Sequence, residues 1–208
     1  RQSDQDVFAD LRLDLTRPKD NDFELHFLGS VRSDLDGNQD VHEFYPLENV
    51  WDTFGGRADG EVYEAYIALN GETERLYMKT RLGRQAGPRD EPVFFDGIAA
   101  DLGGDALNLT VYGGSAVRFF EVDSHWGDDT LSGAGIDWRP FPATGVSVDY
   151  LLVKDAMSLF PDDTEQFDRL TSFKITQRFE PFTRLTAKYR FKDGEPRDLS
   201  FKAVSAWE

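Results

Sequence analysis

The segment Asp34-Leu35-Asp36-Gly37-Asn38-Gln39-Asp40 sets oxygen-bearing side chains at alternate positions, the opening spacing of a calcium loop. Ca²⁺ takes about six to eight hard oxygens, and an EF-hand adds glycine at the sixth position and glutamate at the twelfth. Gln39 and Tyr45 occupy those positions here. Asp34, Asp36, Asn38 and Asp40 are therefore candidate Ca²⁺ ligands, or else a tight Asp/Gly/Asn turn opening a long loop. His26, His42 and His125 have no second histidine at a metal-ligand spacing, which argues against zinc. Ser132, Ser147, Ser172 and Ser200 lie in no nucleophile-elbow context. The paired carboxylates Asp128-Asp129 and Asp162-Asp163 are adjacent, so on a strand they diverge and cannot flank one glycosidic bond. The expectation is a protein that is not an enzyme and has no cofactor beyond that Ca²⁺.

A second set of charged residues recurs at every other position. Arg75, Tyr77, Lys79 and Arg81 oppose Leu76, Met78, Thr80 and Leu82; Arg184, Thr186, Lys188 and Arg190 oppose Leu185, Ala187, Tyr189 and Phe191. Strict alternation marks a β-strand with two environments, because successive side chains face opposite ways. The same pattern runs from Val7 to Leu15 and from Phe23 to Arg32, and closes the chain at Leu199, Phe201, Ala203, Ser205 and Trp207. Weaker alternation covers 61–69, 93–102, 106–113, 131–138, 145–154 and 170–179. About eleven strands of about ten residues follow, the length of a tilted membrane-spanning strand. Helix-like spacing is confined to 156–168.

The connections alternate as well. Short ones (17–21, 70–74, 103–105, 139–144, 180–181) interleave with longer ones (36–60, 84–92, 118–130, 155–168). An up-and-down sheet with tight turns on one rim and elaborated loops on the other produces this rhythm, as outer-membrane barrels do. Sandwiches and Greek keys cross between sheets and scatter their loop lengths. The chain of 208 residues has 39 Asp+Glu against 23 Lys+Arg, no cysteine, 13% aromatics and a mean hydropathy of −0.52. An acidic balance argues against nucleic acid as a partner. No run approaches about 18 apolar residues, so a transmembrane helix is excluded, and the aromatic content is too high for a disordered acidic chain. Much of the acid falls in the longer connections, where it could bind divalent cations shared with lipopolysaccharide phosphates or be simply solvated.

Arg81-Leu82-Gly83-Arg84-Gln85, then Phe94-Phe95-Asp96-Gly97, then Leu107-Asn108-Leu109-Thr110-Val111-Tyr112-Gly113-Gly114 resembles a hairpin of large Gram-negative outer-membrane porins, nearest the alginate-export type. The specific match covers about 81–114; the strand–loop rhythm is similar over the whole chain. The resemblance implies a passive channel, with lumenal arginines contacting an anionic solute.

The expected fold is an all-β, antiparallel up-and-down transmembrane β-barrel, a single domain over 1–208, apolar outside and polar within. Its expected place is the cell outer membrane, in contact with the lipid bilayer and lipopolysaccharide. Its expected function is passive diffusion of small polar or anionic solutes, or the barrel component of an outer-membrane complex with other subunits. The alternative is a soluble all-β ligand-binding domain of lipocalin or sandwich type. Arg75, Lys79, Arg81, Lys174, Arg178, Arg184, Lys188 and Arg190 are the expected pore-lining, solute-contact residues, with Lys202 beside them. Against them stand Asp10, Asp14, Glu24, Glu64 and Asp149 on other strands, so that the late strands form a basic wall opposite an acidic one; alternatively, these Lys and Arg solvate a sheet face or pair across strands with carboxylates. Exposed aromatics (Phe23, Trp138, Phe141, Tyr150, Phe179, Phe182, Phe191, Trp207) are expected at strand ends, where interfacial girdles belong. The chain opens at Arg1 without a signal peptide and ends Trp207-Glu208, and an odd strand number does not close in the usual bacterial way. The expectation is a fragment of a larger barrel.

Overall fold

A computed structural model describes residues 6–17, 22–34, 58–117, 129–155, 166–179 and 183–205. They form eleven strands: β1 (Asp6–Thr16), β2 (Phe23–Asp34), β3 (Ala58–Glu72), β4 (Tyr77–Ala86), β5 (Phe94–Gly103), β6 (Leu107–Val117), β7 (Thr130–Phe141), β8 (Thr144–Asp155), β9 (Gln166–Phe179), β10 (Thr183–Lys192) and β11 (Glu195–Ser205). All lie in one sheet in chain order, each neighbour antiparallel. The alternation thus builds the expected all-β, up-and-down meander. Among the described residues there is no helix: 166–168 begin β9, and the rest of the segment with helix-like spacing lies outside them. No pairing joins β1 to β11 among these residues, and with an odd count both run in the same direction.

The rhythm of the connections has one exception. β10 and β11 meet through Asp193-Gly194 alone, on the rim that otherwise carries the longer connections. Both residues have positive φ (54° and 84°), the backbone of a type I′ turn, which Asp-Gly favours.

Register assigns every strand residue to a face. One row across the sheet runs Met78, Leu102, Leu109, Ile136, Val148, Phe173, Tyr189, Leu199. The next row, on the opposite face, runs Lys79, Asp101, Thr110, Gly135, Asp149, Ser172, Arg190, Asp198. The apolar row is the exposed one, with Leu109 at 40% and Leu199 at 58%. Thr110, Asp149 and Ser172 of the polar row are buried. This inverts the usual relation of a sheet to water, in which the apolar face is covered. On the apolar face the register places only four charged side chains among the described strand residues: Arg84, Asp96, Lys154 and Arg169. All four lie near the rim with the longer connections. Phe23, Trp138, Phe141 and Phe179 are exposed near strand ends at the opposite, short-turn rim. Tyr150 lies mid-strand in β8 instead, and Phe182 and Trp207 are outside the described residues.

The sheet curls with its polar face inside. Glu91, three residues before β5, forms ion pairs with Arg190 of β10 and Arg197 of β11. Six inter-strand spacings of about 4.8 Å separate β5 from β11, about 29 Å along the sheet, whereas three residues extend about 10 Å. The chord between these strands is therefore much shorter than the arc.

Candidate functional site

The concave face collects the chemistry. Near β1–β3, Asp14 lies 2.7 Å from Arg12 and 2.5 Å from His26 Nδ1; the His26 ring stacks on Tyr66. Lys79 pairs with Glu24 at 2.7 Å, and Asn70 donates to the same carboxylate at 2.8 Å. Arg81 meets Asp101 at 3.3 Å, and Thr110 donates to Asp101 at 2.7 Å. Arg12 and Asp14 are two apart on β1 and so share a face; the other partners meet across adjacent strands or one strand removed.

The connection between β4 and β5, residues 87–93, turns inward over this face. Arg89 lies between two carboxylates, Asp137 of β7 at 2.6 Å and Asp149 of β8. Its side chain is 10% exposed. Asp90 bridges Lys174 of β9 at 3.1 Å and Lys188 of β10 at 3.2 Å. Glu91 meets Arg190 at 3.2 Å and Arg197 at 3.4 Å. Three consecutive residues of signs +, −, − thus face walls of signs −, +, +. Ser147 donates to Asp137 at 2.5 Å and Ser172 to Asp149 at 3.1 Å, so both acids keep a second partner.

Beneath this segment is a small apolar core on the concave side: Phe95, Ala99, Tyr112, Leu131 and Leu151, with Val93, Val153 and Leu170 packed against it. Two glycines of β7 make the room. A Cβ on Gly133 would lie 2.2 Å from the Tyr112 ring, and one on Gly135 would lie 2.5 Å from Arg89 Nε. Burial pushes the Asp90 carboxyl up, but the hydrogen bond and charge of Lys174, then those of Lys188, outweigh it and hold it below its ordinary value. Burial likewise opposes the Arg89 guanidinium, and Asp137 and Asp149 more than compensate, leaving it firmly charged.

The structure separates the expected solute-contact residues into three groups. Arg75 lies in the turn between β3 and β4, off the strands, because Thr73 and Leu76 close a hydrogen-bonded turn around it. Lys79, Arg81, Lys174, Lys188 and Arg190 are on the concave face and each is matched by a carboxylate. The inward segment neutralises much of the basic wall, which the alternation of the late strands could not reveal. Arg178 and Arg184 face each other in register near the short-turn rim, exposed, with no carboxylate in ion-pairing range among the described residues. Lys202 lies diagonally across β10, opposite Thr186. Like charges directly opposed repel, so Arg178 and Arg184 form an exposed cationic cluster on the concave face.

Of the candidate Ca²⁺ ligands, Asp34 ends β2 opposite Asp6, while Asp36, Asn38 and Asp40 lie outside the described residues, as do His42 and His125. Among the described residues no three His, Cys, Asp or Glu side chains converge as a metal site. The chain matches no model of a known protein family and no curated protein.

Proposed function

We propose that this chain forms the wall of an outer-membrane β-barrel channel, of the porin kind that residues 81–114 resemble, through which small polar or anionic solutes diffuse passively. The observation that carries this reading is the inverted sheet: among the described residues, an exposed apolar face with charge only near one rim, and a polar face on the concave side that is buried at Thr110, Ser147, Asp149 and Ser172. Water disfavours so large an apolar patch, and hydrocarbon favours it. A soluble ligand-binding domain would need the faces exchanged. Lipid and, at the loop rim, lipopolysaccharide are the partners this surface fits. In hydrocarbon an open strand edge is untenable, so β1 and β11 must be sealed; one further strand running against both would pair antiparallel with each and bring the count to an even number. Other outer-membrane subunits are a source of such a strand.

In this reading Arg178 and Arg184, with Lys202, attract the permeating anion, because no carboxylate among the described residues pairs with them and the wall is of low dielectric. Planar-bilayer recordings under a KCl gradient test it. The wild-type protein is expected to be anion-preferring, and the Arg178→Glu/Arg184→Glu protein to shift its reversal potential toward cations. An unchanged potential removes these residues from selectivity. A wild-type protein that never conducts contradicts the channel.

A further inference from the structure

We propose that residues 87–93 are a fixed strap across the lumen that narrows the permeation path, rather than one of the outward loops of the rim. The inference rests on the channel reading above. Five observations support it. The segment leaves β4 and returns to β5, its neighbour, yet its side chains reach β7, β8, β9, β10 and β11. A loop that only joined two adjacent strands needs no such reach. Its charge order, Arg89-Asp90-Glu91, complements three successive parts of the wall, so the docked register is specific. Its end, Val93, packs on the concave apolar core, which no solvated loop would require. Gly133 and Gly135 leave the space that Tyr112 and Arg89 fill, and a Cβ at either would collide with them. The backbone is also closed on itself: the Gly87 amide donates to the Val93 carbonyl at 2.7 Å.

The strap also explains how Lys174 and Lys188, directly opposed in register, are tolerated. Asp90 bridges them, so a permeating anion finds that site occupied. The open path then runs on the other side of the lumen and past Arg178 and Arg184.

Single-channel conductance of three full-length proteins decides the matter: wild type, Asp90→Lys/Glu91→Lys, and a variant with 87–93 replaced by a Gly/Ser segment of equal length. Charge reversal sets the strap against the four cations it now contacts, and the Gly/Ser segment removes every side-chain contact. Both variants are expected to conduct at least about twofold more than wild type, since conductance rises with the open cross-section. Conductance equal to wild type in the Gly/Ser variant overturns the strap while leaving the channel standing. Loss of conductance in both variants, with wild type open, makes the segment a brace for the wall and also overturns it. Silence from all three refutes the channel reading and the strap with it.

Discussion

Replacing Arg89 by methionine tests the docking of the inward segment most sharply. The side chain is 10% exposed; of its two carboxylate partners, Asp149 is 12% exposed and Asp137 is 34% exposed. Removing one partner of a buried ion pair costs about 3–5 kcal/mol, because the remaining charge keeps its desolvation penalty. Here Ser172 and Ser147 still donate to the two acids and Asp137 is partly wet, so the cost falls to about 2–4 kcal/mol. At about 1.4 kcal/mol per tenfold, the hydrogen-bonded amides of Gly87 and Val93 should exchange roughly 30- to 1,000-fold faster in Arg89→Met. Amide exchange by mass spectrometry in detergent micelles reads this directly, with the strands β4 and β5 as internal controls. Adding Asp149→Asn to Arg89→Met should cost less than the sum of the two single changes. Exchange at 87–93 within about threefold of wild type would refute the ion pairs as the anchor of this segment.

A Cβ at Gly135 would lie 2.5 Å from Arg89 Nε and 2.6 Å from Asp149 Oδ1, so Gly135→Ala should loosen 87–93 by about 1–3 kcal/mol without changing any charge, seen in the same exchange experiment. Asp90 faces Lys174 from β9 and Lys188 from β10, and its folded value is lowered. Its contribution is therefore present above its ordinary value of about 4 and is lost as pH falls through the lower folded value; a nitroxide at the exposed Pro92 should stay immobile from neutral pH to about 4 and gain mobility below it, and Asp90→Asn should abolish the step. Ile136, 46% exposed in the middle of the apolar face, should cost about 2–4 kcal/mol as Arg in phospholipid vesicles by urea unfolding, against about 0.5 kcal/mol or less for a water-facing position.

The meander was legible in the chain because period two is a local signal: Thr183–Phe191 states its two faces outright, and register then follows from the short turns. Lys174 and Lys188, and Arg178 and Arg184, were readable as facing one way for the same reason. What alternation cannot carry is the third dimension. Arg89 is 48 residues from Asp137, and Glu91 is 106 from Arg197; no spacing rule links them, because the meeting depends on how tightly the sheet curls. Two traces of it were nevertheless present. Gly133 and Gly135 fall on the polar parity of a strand, where a missing side chain signals close approach of another group. Arg89-Asp90-Glu91 is a compact charged run in a connection of medium length, and opposite charges stand at matching parity on the later strands. The Asp193-Gly194 turn was also readable, as a dipeptide that favours positive φ at both positions. Arg75 was misplaced by extending the alternation of β4 back into a turn.

The central claim is that the apolar face meets hydrocarbon and the polar face water. Because the chain has no cysteine, single cysteines at successive positions 108–112 of β6 can each carry a nitroxide in reconstituted vesicles. Collision with oxygen, which concentrates in hydrocarbon, should be high at Leu109 and Val111 and low at Asn108, Thr110 and Tyr112, with a water-soluble nickel chelate giving the opposite ranking wherever it can enter. Nickel accessibility that is highest at Leu109 and Val111, or a protein that stays monodisperse without detergent, would contradict the account.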